Sequence, residues 1–108
     1  MVDLRWNKAF ALEQTDGDEE LLEELLVLFK DSAASDVEQL QQAVATNNPA
    51  GVVRAAHSLK GASASLGIEG IRQLAMTMES DARNNSVTVA RDNLVALYEL
   101  LGQLSSLQ

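Results

Sequence analysis

The sequence predicts an all-α fold, an antiparallel four-helix bundle with a short additional N-terminal helix. Three observations carry that reading. Proline occurs once in 108 residues, and aromatic residues make up only 4%. Leucine and alanine recur at spacings of three and four, the period of a helix face. With 46% hydrophobic residues the chain can bury one modest core, so residues 1–108 read as a single domain.

Each element has its own signals. The opening "LRWNKAFAL" predicts a short helix that caps one end of the bundle with Leu4, Trp6 and Phe10. A long helix follows, from Gly17 to Thr46. Asp16 with Glu19 forms a capping box before it, and acids gather in its first turn. Its inward stripe is Leu22, Leu25, Leu26, Phe29, Ala33, Val37, Leu40 and Val44, with room for a bend near "DSAASD". Asn48 and Pro49 then start a second long helix, Asn48 as the cap and Pro49 at the first helical position. Val52, Ala56, Leu59, Ser63 and Leu66 face inward there, and Gly67 ends it. The next helix starts near Ile68, buries Ile71, Leu74, Ala75, Met78 and Ala82, and stops at "RNNS". A last one begins around Val87 and carries Leu94, Leu97, Leu101 and Leu104.

Charge and composition exclude more than they name. The formal charge is −8, from 16 acids against 8 bases, which repels phosphate backbones and argues against a nucleic-acid partner. No apolar run approaches a membrane span, and the first ten residues lack a signal-peptide core. There is no cysteine, which fits a reducing compartment, so a cytoplasmic protein is expected. No apolar seam demands a dimer, and a monomer is the expectation.

The chemistry concentrates in "AAHSLKGASASLG", residues 55–67, which holds the single histidine. Val53, Lys60, Gly61 and Ala64 lie three, four and seven positions from His57 and share its side of the helix, with Arg54 one turn before it. A glycine within a helix costs about 1 kcal/mol relative to alanine. What Gly61 offers in return is cleared space beside the ring. Imidazole is nucleophilic near neutral pH, and Lys60 can extend a cation toward an anion held on it. That combination suits a phosphoryl group delivered by a large partner, because phosphoryl transfer needs in-line access and charge stabilisation above all.

Plainer readings stay open at this point. A lone helical histidine is commonly a boundary residue, Gly61 can instead permit close helix packing, and Lys60 can pair with a nearby acid. A metal site is poorly supported by one histidine without cysteine. A hydrolase triad is weaker still: Ser58, Ser63 and Ser65 are at hand, but Ser58 adjoins His57 on the helix and faces another way.

"AHSLKGASASLG" closely resembles the signature of histidine-containing phosphotransfer (HPt) domains, A-H-x-L-K-G followed by small residues and a glycine. The match takes in His57, Leu59, Lys60, Gly61, Ala64, Leu66 and Gly67. Phe29 in the preceding helix, and Leu74 with Glu79 in the following one, extend it. Ala62 departs from it, where the family commonly has serine. The resemblance implies that His57 is phosphorylated on its outer ring nitrogen and that Lys60 helps to neutralise the phosphoryl oxygens. It implies that Gly61 leaves room for the phosphate, with Ala64 and Gly67 keeping the adjacent surface low; Arg54 and Ser58 could add hydrogen bonds. The group would be exchanged reversibly with the aspartate of a response-regulator receiver domain, free-standing or in a hybrid sensor kinase. That partner would supply the acidic pocket and Mg²⁺, so no cofactor of this chain's own is implied. Docking would surround His57 on the first two long helices, with Asp31, Ser32 and Ser35 opposite.

No nucleotide-binding fingerprint such as G-x-x-x-x-G-K-[ST] is present, so ATP-dependent kinase activity is not expected. The competing reading is a non-catalytic helical adaptor in which His57 is dispensable. A phosphotransfer segment of a larger chemotaxis-type kinase would carry the same residues as a stand-alone carrier, which the plain start and finish of the chain favour.

Overall fold

The computed structural model describes residues 3–106, and these form five helices. They are α1 (Lys8–Gln14), α2 (Glu19–Ala45), α3 (Pro49–Ser65), α4 (Glu69–Arg83) and α5 (Thr88–Ser106). The connections are short, 46–48 between α2 and α3 and 66–68 between α3 and α4, so successive long helices fold back on one another. α3 is the central element, packed against α4 and α2, while α5 closes the bundle on α4 and touches α2 less. Among the described residues no helix is long and apolar enough to cross a membrane.

The predicted stripes form the core. Leu22, Leu26, Phe29, Ala33, Val37 and Leu40 of α2 are buried, as are Val52, Ala56 and Leu59 of α3 and Ile71, Ala75 and Met78 of α4. Leu25, Val44, Leu74, Leu94 and Leu101 are half-buried at its margin. Ala43, Ala55, Ala90 and Leu100 are buried as well, beyond the positions singled out from the pattern. α2 runs unbroken through residues 31–36.

Two expectations are corrected. α2 begins at Glu19, and its cap is Asp18, whose carboxylate accepts the Leu21 N–H at 3.1 Å. Asp16 and Gly17 have φ of +53° and +79°, left-handed values that a right-handed helix cannot contain, so the proposed Asp16–Glu19 capping box does not form. Phe10 covers the bundle end only in part and stays 37% exposed, beside the buried Leu4 and the half-buried Trp6.

The segment before α1 has a further task. The N-terminus of α4 has no side-chain cap, which leaves backbone N–H groups in need of acceptors. Leu4 O accepts from Gly70 N at 2.8 Å, and Arg5 O accepts from Glu69 N at 3.3 Å. Asn7 N donates to Gly67 O at 2.8 Å, and the Trp6 indole N–H donates to Leu66 O at 3.0 Å. A side chain at residue 70 would collide with the backbone oxygens of Asp3 and Leu4, so this close stitch requires Gly70. It locks the corner between α3 and α4, the two helices that build the site.

Candidate functional site

α3 starts under good local control. Asn48 Oδ1 accepts the Gly51 N–H at 3.1 Å, and Pro49 occupies the first turn. From there the helical period turns Val52, Ala56 and Leu59 into the core and leaves His57 on the seam with α4, its side chain 65% exposed. Glu79 rises opposite it from α4 and is only 5% exposed.

Three side chains converge on that carboxylate. Glu79 Oε2 lies 3.0 Å from His57 Nδ1 and receives both Arg83 Nε at 3.2 Å and Arg83 Nη2 at 2.6 Å. Oε1 has the Lys60 ammonium at 2.7 Å, an ion-pair contact rather than a directed hydrogen bond. Burial alone would raise the Glu79 pKa. The contacts from Lys60, Arg83 and His57 outweigh it and bring the value from 4.5 down to about 2. Glu79 is therefore a carboxylate at neutral pH and can only accept, so the shared proton belongs to His57 Nδ1. In the neutral imidazole the lone pair is then on Nε2, which has no hydrogen-bond partner among the described residues.

Gly61 sits one turn along from His57, and a Cβ built there meets nothing within 4 Å. Close packing within the chain is therefore not the reason for this glycine. Gly51 makes the contrast, since a Cβ there would lie 2.9 Å from Ala43 Cβ.

The model of the Hpt domain family matches residues 24–107. The chain belongs to the Hpt domain family. The likeness extends to a solved structure, the Hpt domain of a sensor hybrid histidine kinase from Shewanella. The two are 27% identical, with a TM-score of 0.78 over 96% of this chain and 91% of that one. A comparison with curated proteins finds no match. Family and fold together put this Hpt domain in phosphorelay signalling, whose general partners are receiver domains and hybrid kinases.

The remaining predicted positions of the Hpt domain distribute around His57 unevenly. Val53 and Arg54 line a shallow groove of about 520 Å³ toward the start of α3, together with Ala82 and Arg83 of α4. Ala64 is half-buried. Ser58 lies on the opposite seam, its hydroxyl donating to the buried Asp36 of α2 at 2.9 Å. Gly67 is not a surface position. It is buried at the helix corner with φ +69°, and a Cβ there would come within 2.8 Å of Asn7 O and 3.0 Å of the Phe10 ring. Ser63 is buried and donates to Leu59 O at 2.7 Å, and Ser65 donates to Ala62 O, so neither is a nucleophile poised on His57. No cluster of potential metal ligands occurs among the described residues.

The hydrogen-bond partner of His57, Glu79, comes from α4. Between α2 and α3 lies a separate apolar groove of about 360 Å³, lined by Leu25, Leu28, Phe29, Ser32, Ala62 and Ser65 among others. Ser32 belongs to it, while Asp31 and Ser35 stand exposed outside. Arg83 was not among the predicted site residues. Its place four positions after Glu79 on one helix face was the available signal.

Proposed function

We propose that this Hpt domain carries a phosphoryl group on His57 Nε2 and exchanges it reversibly with the aspartyl phosphate of a receiver domain. One observation carries the reading. A buried, ionised Glu79 holds the proton on Nδ1, which leaves an outward-facing lone pair on Nε2 beside the unobstructed Gly61.

In the forward direction the Nε2 lone pair attacks phosphorus while the bond from phosphorus to the aspartate oxygen breaks, and the aspartate leaves as a carboxylate. The proton stays on Nδ1. The phosphorylated ring is then cationic, and Glu79 Oε2 stabilises it at hydrogen-bond distance. Retention of that proton keeps the N–P bond easy to break, so the reverse transfer uses the same geometry. Lys60 turns its ammonium from Glu79 toward the phosphoryl oxygens. Gly61 and Ala64 keep the approach low, Val53 and Arg54 extend the contact toward the start of α3, and the receiver brings its own acidic pocket and Mg²⁺. Ser58 is engaged with Asp36 of α2 and takes no part at the phosphoryl group.

The test is transfer from a labelled phospho-receiver with Mg²⁺ to the wild type and to His57→Gln. Acid-labile, base-stable label on the wild type alone supports the carrier. A folded wild type that accepts no label from any receiver of its host, with pathway output retained in His57→Gln, supports the adaptor reading instead.

A further inference from the structure

The carrier reading accounts for His57, Lys60 and Gly61, and it leaves Arg83 without a task. Arg83 is the last residue of α4, and its side chain is 60% exposed. An exposed arginine paired four residues back along a helix is ordinarily worth little. Here, however, the acceptor is buried. Both Arg83 contacts, at 3.2 and 2.6 Å, fall on Oε2, the same oxygen that receives His57 Nδ1. Oε1 has only the ion pair with Lys60.

The division of labour between the two cations follows from their chemistry. An ammonium is a mobile point charge with three equivalent donors, whereas a guanidinium is a planar fork of fixed geometry. Lys60 is the cation that a phosphoryl group on Nε2 would draw away from Glu79. Once it moves, Oε1 loses its counter-charge, and a dianion stands next to the carboxylate. Without a second tether, the Glu79 carboxylate would rotate or recede from the imidazole at the moment when the cationic ring needs it.

We propose that Arg83 is a positioning residue that clamps Glu79 Oε2 against His57 Nδ1, so that Lys60 is free to leave for the phosphoryl group. This rests on the carrier reading, which it deepens. The charged groups around the imidazole are Lys60 and Arg54 from α3 and Glu79 and Arg83 from α4. Asp36 of α2 is engaged on the far seam through Ser58. Arg83 is the one among them that grips the histidine's own acceptor oxygen through two donors.

The experiment compares the wild type with Arg83→Gln and Arg83→Lys. Nitrogen-15 NMR of His57, at a pH where the ring is neutral, gives the share of the Nδ1–H tautomer. Labelled transfer from a phospho-receiver gives the rate, and thermal melting reports the fold. In Arg83→Gln the Nδ1–H share should fall, and the transfer rate should drop about three- to tenfold. Arg83→Lys keeps the charge at the end of α4 but lacks the fork, and should restore only part of both. An unchanged tautomer in Arg83→Gln would overturn the clamp, and so would complete recovery of both readouts by Arg83→Lys, which is what a charge on the helix terminus alone would give. A tautomer change in Arg83→Gln, together with a wild type that takes no label, would sink the carrier reading and leave the clamp supported.

Discussion

His57 Nδ1 and Glu79 Oε2 meet at 3.0 Å across the seam between α3 and α4, one side chain mostly exposed and the other almost wholly buried. That asymmetry is the basis of the site. The buried partner sets the proton, and the exposed partner keeps its second nitrogen available.

Glu79 should govern acid stability as well. Its folded-state pKa, about 2, lies below the ordinary 4.5, so the ionised form favours the fold. The stability it contributes is complete above pH 4.5 and is lost as pH falls toward 2. Glu79→Gln should cost about 1–3 kcal/mol near neutral pH, because Lys60 and Arg83 lose their shared counter-charge. Urea titrations of both proteins across this range should show the gap closing as pH drops. A gap that stays constant with pH would contradict the assignment.

Gly61 should behave in the opposite sense for stability and for transfer. Alanine at this position meets no neighbour in the chain, so Gly61→Ala should stabilise the helix by about 0.5–1 kcal/mol. Phosphoryl transfer should slow, more so with bulkier residues. If thermal melting shows destabilisation, or if transfer is indifferent to a leucine there, the cleared-space explanation is wrong.

The bundle itself was legible in the sequence because each long helix buries one continuous stripe, and burial there needs only the helical period. Leu22 through Leu40 on α2 and Ile71 through Met78 on α4 are of this kind. The buried acids were not legible in the same way. Asp36 and Glu79 interrupt no pattern, and their burial depends on Ser58 and on the Lys60–His57–Arg83 set, which arrive from other turns or helices. Glu79 came into view only through family likeness. The start of α2 falls two residues later than expected because Asp16 and Asp18 are both competent caps; the Asp16–Gly17 pair, whose composition suits a left-handed turn, is the mark that separates them. Gly67 was counted at the surface because its place under Asn7 and Phe10 is decided by the N-terminal segment.

Lys60 should separate stability from transfer. Lys60→Gln leaves Glu79 Oε1 without its ion pair, at a cost of about 1 kcal/mol, since Arg83 and His57 still hold Oε2. The transfer rate should fall further, by about tenfold, because the phosphoryl oxygens lose their nearest cation. Equal free-energy losses in folding and in transfer would mean that Lys60 acts on Glu79 alone.

Asp36 offers a reversed pH signature. Burial raises its pKa above 3.8 and the Ser58 hydroxyl only partly opposes this, so the fold disfavours the ionised form. Stability at this site is therefore present at low pH and lost as pH rises through the folded-state value. Asp36→Asn keeps an acceptor for Ser58 and removes the buried charge. It should raise stability at neutral pH by up to about 1 kcal/mol, read as a melting point several degrees higher. A lower melting point would show that the charge itself is needed.

The most direct test is the atom that takes the phosphoryl group. Nitrogen-15 and phosphorus-31 NMR of the protein, after transfer from a phospho-receiver, distinguishes the two ring nitrogens of His57. The account predicts phosphorus bonded to Nε2, with the proton retained on Nδ1 against Glu79. A phosphoryl group on Nδ1, or on any residue other than His57, would contradict it.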